Sequence, residues 1–307
     1  MAKKIVKALR KNACCICKAI DRYLAKADDD FEETLAGDGF VEAEDTVKAI
    51  NALEEGIAGA LKKQTKKFTK VPDDSSDWDE AQKRVEDLND GIEDMVTAMT
   101  AEMFHEQIPK YANVYIKDTD SEMVVSTIRR STSKWISSWS EQLGELMRVD
   151  THKQMSEVIE SAIANGKSIA ELAKQIQEGG WRTEYYQAKR VAMTEVLRAH
   201  SVAQQEAYMQ SPSVTEKMWN HAGGSLNPRQ NHVNMNGIKV PKGEPFNLIG
   251  ADGSIYLPMM PRDSNLPAVE SINCQCIMQP IVSEDILGLS YEERKAMQEE
   301  ILACDDD

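Results

Sequence analysis

The sequence predicts an α+β protein: a mostly helical amino-terminal two-thirds with long helices, then a small loop-rich β module and an acidic carboxy-terminal helix. Three observations carry that prediction. Apolar side chains recur at three- and four-residue spacing through most of the chain before residue 210. Residues 213–282 then hold seven of the ten prolines, with short apolar runs alternating with turn residues. Residues 283–307 close the chain with nine acids against two bases.

The 307 residues leave room for about two domains at roughly 100–200 residues each, and a hydrophobic fraction of 41% excludes a wholly disordered chain. No stretch approaches the ~18 consecutive apolar residues of a membrane span. The amino terminus lacks the apolar core of a secretory signal, so an intracellular, soluble protein is expected. A net charge of −15 argues against general attraction to nucleic acid. The charge is segmental, however. Residues 1–20 carry six bases and no acid, residues 21–60 twelve acids against three bases, and residues 61–70 five lysines. Such blocks suit arms that meet differently charged partners. The ordinary reading is a set of solvated helix faces.

In chain order, residues 2–26 form a basic amphipathic stretch containing Cys14, Cys15 and Cys17. Such a stretch suits membrane-surface contact or acylation, or simply buried thiols. Residues 41–68 continue with helix formers. Pro72, Asp73, Asp74, Ser75 and Ser76 mark a linker over 69–79, the first expected boundary. Leu88, Ile92, Met95, Val96, Met99 and Met103 predict one helix from Asp79 to about Gln107, ended by Pro109. The methionines among them offer a partner groove or, more simply, core. A long helix is expected from Ser121 to Met147, with Val124, Ile128, Trp135, Trp139, Leu143 and Leu146 inward. Asp150 is expected to cap the next helix and Asn165-Gly166 to stop it. Ser168 and Glu171 form a capping box for a short helix over Ile169–Gln177, closed by Gly179-Gly180. A last long helix runs from about Thr183 to Met209. Strands are expected near Lys217–Trp219, Ile238–Val240, Phe246–Ile249, Ile255–Leu257 and Cys276–Val282, then a helix over Ser290–Cys304. The expected divisions are a helical arm with basic patches over 1–70, long helices over 71–149, helices over 150–210 with the β module 213–282, and a tail over 283–307.

Four constellations could carry chemistry. His221, His232, Cys274 and Cys276 are a candidate tetrahedral zinc set, because two thiolates and two imidazoles suit that ion. The Cys-x-Cys spacing is tighter than the usual knuckle, and buried thiols beside a hydrogen-bonded histidine are the bland alternative. Either cysteine with His232 and Asp263 could also be drawn as a nucleophile, base and acid. Residues 168–176 resemble the first helix of a helix-turn-helix reader. Arg190 with Thr194, and Glu195 with Arg198, stand at helical pairing distance, ordinarily a surface arrangement; Glu195 with His200 could be an acid–base couple. No phosphate-cradling glycine loop is present.

Taken in order, Gly166-x-Ser168, Ile169-x-x-Leu172-Ala173, Arg190-Val-Ala-Met-Thr194-Glu195, Arg198-Ala199, Trp219, Arg229-x-x-His232, Gly237, Phe246, Pro258 and Asn273-Cys274-Gln275-Cys276 resemble the phage Mu F-like minor head proteins, or head morphogenesis proteins. The likeness covers 150–282. It implies a non-enzymatic minor structural protein of a tailed-phage or prophage head, located in the virion at the head interior or portal vertex and in the host cytoplasm during assembly. The implied partners are the portal protein and the major capsid protein. Packaged DNA, touched through the lysines and arginine of 1–20 and 61–70, would be met without sequence reading. Arg190, Thr194, Glu195, Trp219 and Arg229 are then expected to hold the module together. The family commonly has arginine where Gln275 stands, aspartate at Asn227 and asparagine near His200 or Ser201. A rival reading is a zinc-dependent hydrolase or injected effector using His232 with Cys274 and Cys276. Another is a DNA-binding regulator built on 150–210.

Overall fold

The computed structural model describes residues 30–221 and 228–305. The expectations for residues 2–26, including Cys14, Cys15 and Cys17, lie outside them. Helix α1 is helical over 30–37, followed by α2 (Ala43–Phe68), α3 (Lys70–Asp73), α4 (Trp78–Glu86), α5 (Ile92–Thr119), α6 (Arg130–Ala164) and α7 (Ile169–Gln210). The β module contains β1 (Val214–Asn220), α8 (Gln230–Asn234), β2 (Lys239–Pro241), β3 (Leu248–Ile249), β4 (Ile255–Tyr256), α9 (Ala268–Ser271) and β5 (Ile277–Val282). Helices α10 (Glu284–Leu287) and α11 (Tyr291–Cys304) follow. The fold is α+β, as the sequence predicts. Strand β1 lies between β2 and β5, antiparallel to both, and β3 pairs with β4 as a hairpin. None of the described helices is long and apolar enough to cross a membrane.

Several helix boundaries differ from the sequence reading. The helix expected over 79–107 is two, because Gly91 adopts a left-handed φ of 75° and the Asp90 carboxylate accepts the Ile92 N–H at 2.9 Å. Pro109 does not end α5. The carbonyl its ring would leave unbonded belongs to exposed His105, so it faces water, while Ile108, Tyr111, Ala112 and Tyr115 bury the other side. Residues 120–129 are not helical: a turn at 121–122 leads into irregular chain that runs to α6. Met123 and Val125 are buried and Val124 is exposed, a two-residue period, and Asn113 bonds both the N–H and the C=O of Val125. Leu146 is likewise exposed rather than inward. Asp150 lies inside α6 instead of capping a new helix, and Gln154 donates to it along the exposed face. The stop at Asn165-Gly166 and the capping box of Ser168 with Glu171 are as expected, with Gly166 left-handed. Gly179 and Gly180 do not break α7. Each lowers helix propensity by about 1 kcal/mol, but both keep their N–H groups, so the helix propagates through them. This removes the helix-turn-helix reading, since no turn separates two helices there.

The main core joins α2, α5, α6 and α7. Helices α5 and α6 approach closely at Gly144, where a Cβ would lie 2.6 Å from the Glu93 carbonyl oxygen. The methionine stripe of α5 is core: Met103 is buried, and Met95 and Met99 pack against the same cluster. At the centre His200 on α7 is fully buried, with Tyr111 stacked on it at 3.8 Å. Its ring nitrogens meet Thr46 Oγ1 at 2.8 Å and Tyr115 Oη at 2.9 Å, so one imidazole ties α2, α5 and α7. A second small cluster packs Phe68 and Val71 against Ala81, Val85, Ile159 and Ala162.

The β module rests on the carboxy-terminal half of α7. Gln204 bonds both the N–H and the C=O of Met278 on β5, at 3.1 and 3.0 Å. Fully buried Lys217 on β1 donates to Gln205 Oε1 at 2.9 Å and to the Met259 carbonyl at 2.7 Å; burial pushes its pKa down to about 8. Fully buried Arg262 donates to the Leu197 carbonyl at 2.9 Å, Ser201 Oγ at 2.6 Å and the Cys274 carbonyl at 2.6 Å. The acidic tail also docks. Arg294 of α11 lies 2.7 Å from Asp120, and Asp305 accepts from the Ser131 N–H and hydroxyl at 3.0 and 2.7 Å.

Two outcomes are expected. Burial, assisted by the Arg262 charge, holds the His200 pKa well below 6.5, so the folded protein keeps it neutral while the unfolded chain protonates below about pH 6.5. Its contribution to stability is complete above that pH and falls as pH drops, by up to about 1.4 kcal/mol per pH unit. Urea unfolding of wild type and His200→Gln at pH 7 and pH 5 should show the gap between them narrowing on acidification; a constant gap would refute this. Arg262→Met leaves three acceptors without their donor. It should lower the unfolding free energy by about 3 kcal/mol, at ~1 kcal/mol or more per orphaned group. A loss below about 1 kcal/mol would mean the module is not held through this residue.

Candidate functional site

The residues singled out on α7 prove to be buried structure. Glu195 and Arg198 do pair, at 2.8 Å, but inside the protein and not on its surface. Glu195 also accepts the Trp139 indole N–H at 2.7 Å, and the Arg198 guanidinium lies 4.4 Å from the centre of that ring. The hydroxyl of Thr194 donates to the Arg190 carbonyl at 2.8 Å, a bond within the helix and not a side-chain pair. Glu195 and His200 do not form a couple. Five residues apart on a helix they point in different directions, and each has its own partners.

Three of the four residues of the candidate metal set come together, and His221 stands beside one of them, Cys276, outside the compact group. Position by position, His221 follows β1, His232 lies on α8, and Cys274 and Cys276 flank Gln275 at the turn into β5. His232, Cys274 and Cys276 are buried, and their candidate ligand atoms all lie within 4.8 Å of one another. His232 Nδ1 is 3.5 Å from Cys274 Sγ and 3.6 Å from Cys276 Sγ; His221 Nδ1, half-buried, is 3.6 Å from Cys276 Sγ. The tight Cys-x-Cys spacing is accommodated because the pair precedes the strand. Asn273 is left-handed, with φ 57°, so the chain turns at Cys274 before β5 begins at Ile277.

Around the thiols the framework is closely specified. Trp219, fully buried on β1, meets His232 edge-on at 5.7 Å and Phe246 at 5.3 Å. Arg229 donates to the Ile272 carbonyl at 2.6 Å, tying α8 to the segment before the cysteines. Two residues that sequence reasoning missed complete the surroundings. One is Glu270 on α9, whose Oε2 accepts from His232 Nε2 at 2.9 Å and from Asn231 at 3.0 Å, and whose Oε1 accepts the Ala251 N–H at 3.1 Å. Burial pushes its pKa up, but these hydrogen bonds outweigh that and hold it below the usual carboxylate range. The other is Arg262. The acid orienting His232 is therefore Glu270 and not Asp263, which instead accepts the Met259 and Asn265 N–H groups to shape its own loop. No spacing rule links Glu270 to His232, 38 residues away, so only the fold could pair them.

The two thiols titrate as a pair. A hydrogen bond from Cys276 holds the Cys274 sulfur well below the usual thiol range despite burial, assisted by His232 and the Arg262 charge. The same contact, with burial, pushes Cys276 up, while the Trp219 indole acts on it in the opposite direction. Cys274 is thus the first to become a thiolate. The site can present soft sulfur donors and an imidazole oriented by a carboxylate, the outer arrangement of many metal centres.

Comparison with known proteins agrees with the likeness drawn from the motifs. The family described as phage Mu protein F like protein matches residues 153–279, which takes in the end of α6, all of α7 and most of the β module. The uncharacterized protein YqbB of Bacillus subtilis (strain 168) is 35% identical over 266 residues, covering 83% of this chain and 86% of that protein. No solved structure gives a significant match. With similarity extending over most of both chains and the family match spanning the helix and module just described, the chain belongs to the phage Mu protein F like family.

Proposed function

We propose that this head morphogenesis protein is a minor structural component of a tailed-phage or prophage particle that binds the portal and lines the capsid interior during head assembly, working as a scaffold and not as an enzyme. Family membership is the observation that carries the reading. It is supported by how the matched and unmatched parts meet. Helices α2 and α5, which lie before residue 153, share their core with α7, which lies inside the matched span. The family region is thus built into the helical part, as a structural element that must carry load between partners would be. The α7 residues that looked like chemistry serve packing: Glu195, Arg198 and His200 each hold a neighbouring helix or the module.

Binding to packaged DNA is a finer part of the same reading. Lys62, Lys63, Lys66, Lys67 and Lys70 are all exposed at the end of α2 and the start of α3, although Lys67 also donates to the Asp90 carbonyl at 2.8 Å. Phosphates attract such a cluster without reading sequence, and the net charge of −15 limits the attraction to basic patches, this one and the one expected over 1–20.

Expression of the gene among its neighbours, followed by purification of sedimenting particles and quantitative mass spectrometry, should find a few copies of this chain per particle. Absence from every particle, with the protein free in solution, would sink the head-protein reading. Changing the five lysines to glutamine should flatten the salt dependence of duplex DNA binding, by about 0.9 in log–log slope for each phosphate that is no longer neutralised. An unchanged slope removes DNA binding from the reading while leaving the head role standing.

A further inference from the structure

The Cys274, Cys276, His232 and His221 cluster is not used by a purely scaffolding role, and its geometry is more specific than packing requires. Tetrahedral zinc, with Zn–S about 2.3 Å and Zn–N about 2.0–2.1 Å, sets a sulfur and a nitrogen ligand about 3.6 Å apart. Three of the four sulfur–nitrogen separations are close to that value, at 3.5, 3.6 and 3.6 Å. His232 and both cysteines fit one face of a tetrahedron of that size, while His221 stands beside Cys276, outside that compact group, and would have to close in to complete the set.

Hydrogen bonding alone explains this arrangement less well. His232 Nε2 faces the ionised Glu270 at 2.9 Å and carries the ring proton toward it. Nδ1 is then left with a single in-plane lone pair. One thiol could donate to it along that direction, yet two sulfurs stand at nearly equal distances from it. Two equal neighbours around one lone pair are what an ion lying between them produces. Glu270 supplies the outer carboxylate that fixes the imidazole tautomer in such centres. Buried Arg262 holds the Cys274 carbonyl at 2.6 Å, so the backbone carrying that ligand is itself clamped.

We propose that His232, Cys274 and Cys276 bind one zinc ion, with His221 closing in from beside Cys276 as the fourth ligand, in a closed, structural site that staples the β module. Two thiolates balance the charge of the ion, two neutral imidazoles complete its coordination, and this mix of donors favours zinc over magnesium or calcium. Four protein ligands leave no position for a water, which separates this site from the hydrolase alternative, where an open position would be needed. The ion would join three stretches of chain: the end of β1, α8 and the turn into β5. Closing such long loops is where a metal clip stabilises most. The inference goes beyond the head-protein reading and does not depend on it, because metal content is measured on the purified chain whatever its place in a particle.

The full-length protein, purified under reducing conditions without added metal, should contain one zinc per chain by elemental mass spectrometry. Cobalt exchanged for the zinc should show thiolate-to-metal charge transfer and the intense visible bands of tetrahedral coordination. Glu270→Gln should keep the site but release zinc to a competing chelator roughly 10–100-fold more readily. His221→Ala should retain the thiolate band while the visible bands change as water enters the fourth position. Cys274→Ser should lose the metal; should it fail to fold, the wild-type stoichiometry and cobalt spectrum still decide the matter. Folded wild-type protein with both thiols free to titrate and neither zinc nor cobalt bound would overturn the proposal, as would a Cys274–Cys276 disulfide. A cobalt spectrum unmoved by His221→Ala would overturn the closed site and return attention to hydrolysis.

Discussion

Helix α7 is buried on nearly all sides from Thr194 to Tyr208, and that constraint organises the protein. A helix enclosed in this way is normally apolar all round. This one carries Glu195, Arg198, His200, Ser201, Gln204, Gln205 and Glu206 in the enclosed stretch. Each buried polar group costs free energy unless it is bonded, so each must recruit a neighbour. The neighbours are distributed around the molecule. Glu195 takes Trp139 of α6, His200 takes Thr46 of α2 and Tyr115 of α5, and Gln204 takes the backbone of β5. Glu206 accepts the Arg129 N–H at 2.7 Å, placing negative charge at the start of α6, where the helix dipole favours it. The arrangement of the other elements follows from satisfying this one helix.

The β module depends on that helix more than on its own core. Its sheet has three strands, one of only three residues, and its second pairing is a hairpin of two residues a side. Hairpins of that size are marginal alone. Part of its apolar content also faces outward, with Ile249, Ile255 and Leu257 all at least 60% exposed. What remains inside, chiefly Trp219, Phe246 and Leu248, is continuous with the helical core. The module therefore relies on specific ties: the Gln204–Met278 pair, the Lys217 ammonium and Arg262 on α7, and within the module Glu270, which joins α8, the β3–β4 turn and α9. The zinc proposed above would add a tie where these polar contacts are densest.

Much of this was legible in the sequence, for identifiable reasons. Strand positions in the module were read from short apolar runs between turn residues, a local signal that tertiary context leaves in place. The capping box of Ser168 with Glu171 is equally local, and the structure adds a second one, Ser290 with Glu293, at the start of the expected last helix. Residues 120–129 were illegible because Val124 and Ile128 fit helical spacing by chance, while the side chain that fixes the path, Asn113, lies elsewhere. Pro109 and Gly179-Gly180 misled because breakers act through local propensity, which a long packed helix overrides. At the site, the four candidate ligands could be named by residue type. Glu270 could not, since its partnership with His232 exists only once α8 and α9 are folded together.

The polar content of α7 also bears on how a head protein of this kind would work. An apolar helix of the same shape could pack as tightly, and replacing buried ion pairs with hydrocarbon often leaves stability unchanged or higher. What hydrocarbon cannot do is specify register. If α7 slid by one turn, apolar contacts would re-form with modest loss, but Gln204 would miss the Met278 amide, Arg262 would lose Leu197 and Ser201, and His200 would leave Thr46 and Tyr115. Each orphaned group costs about 1–3 kcal/mol, so several failing together make one alignment strongly preferred. In the proposed head role, fixed surfaces on both the helices and the β module would gain from that restriction. The charged and amide groups along α7, which in a sequence look like catalytic residues, serve in the fold as register marks.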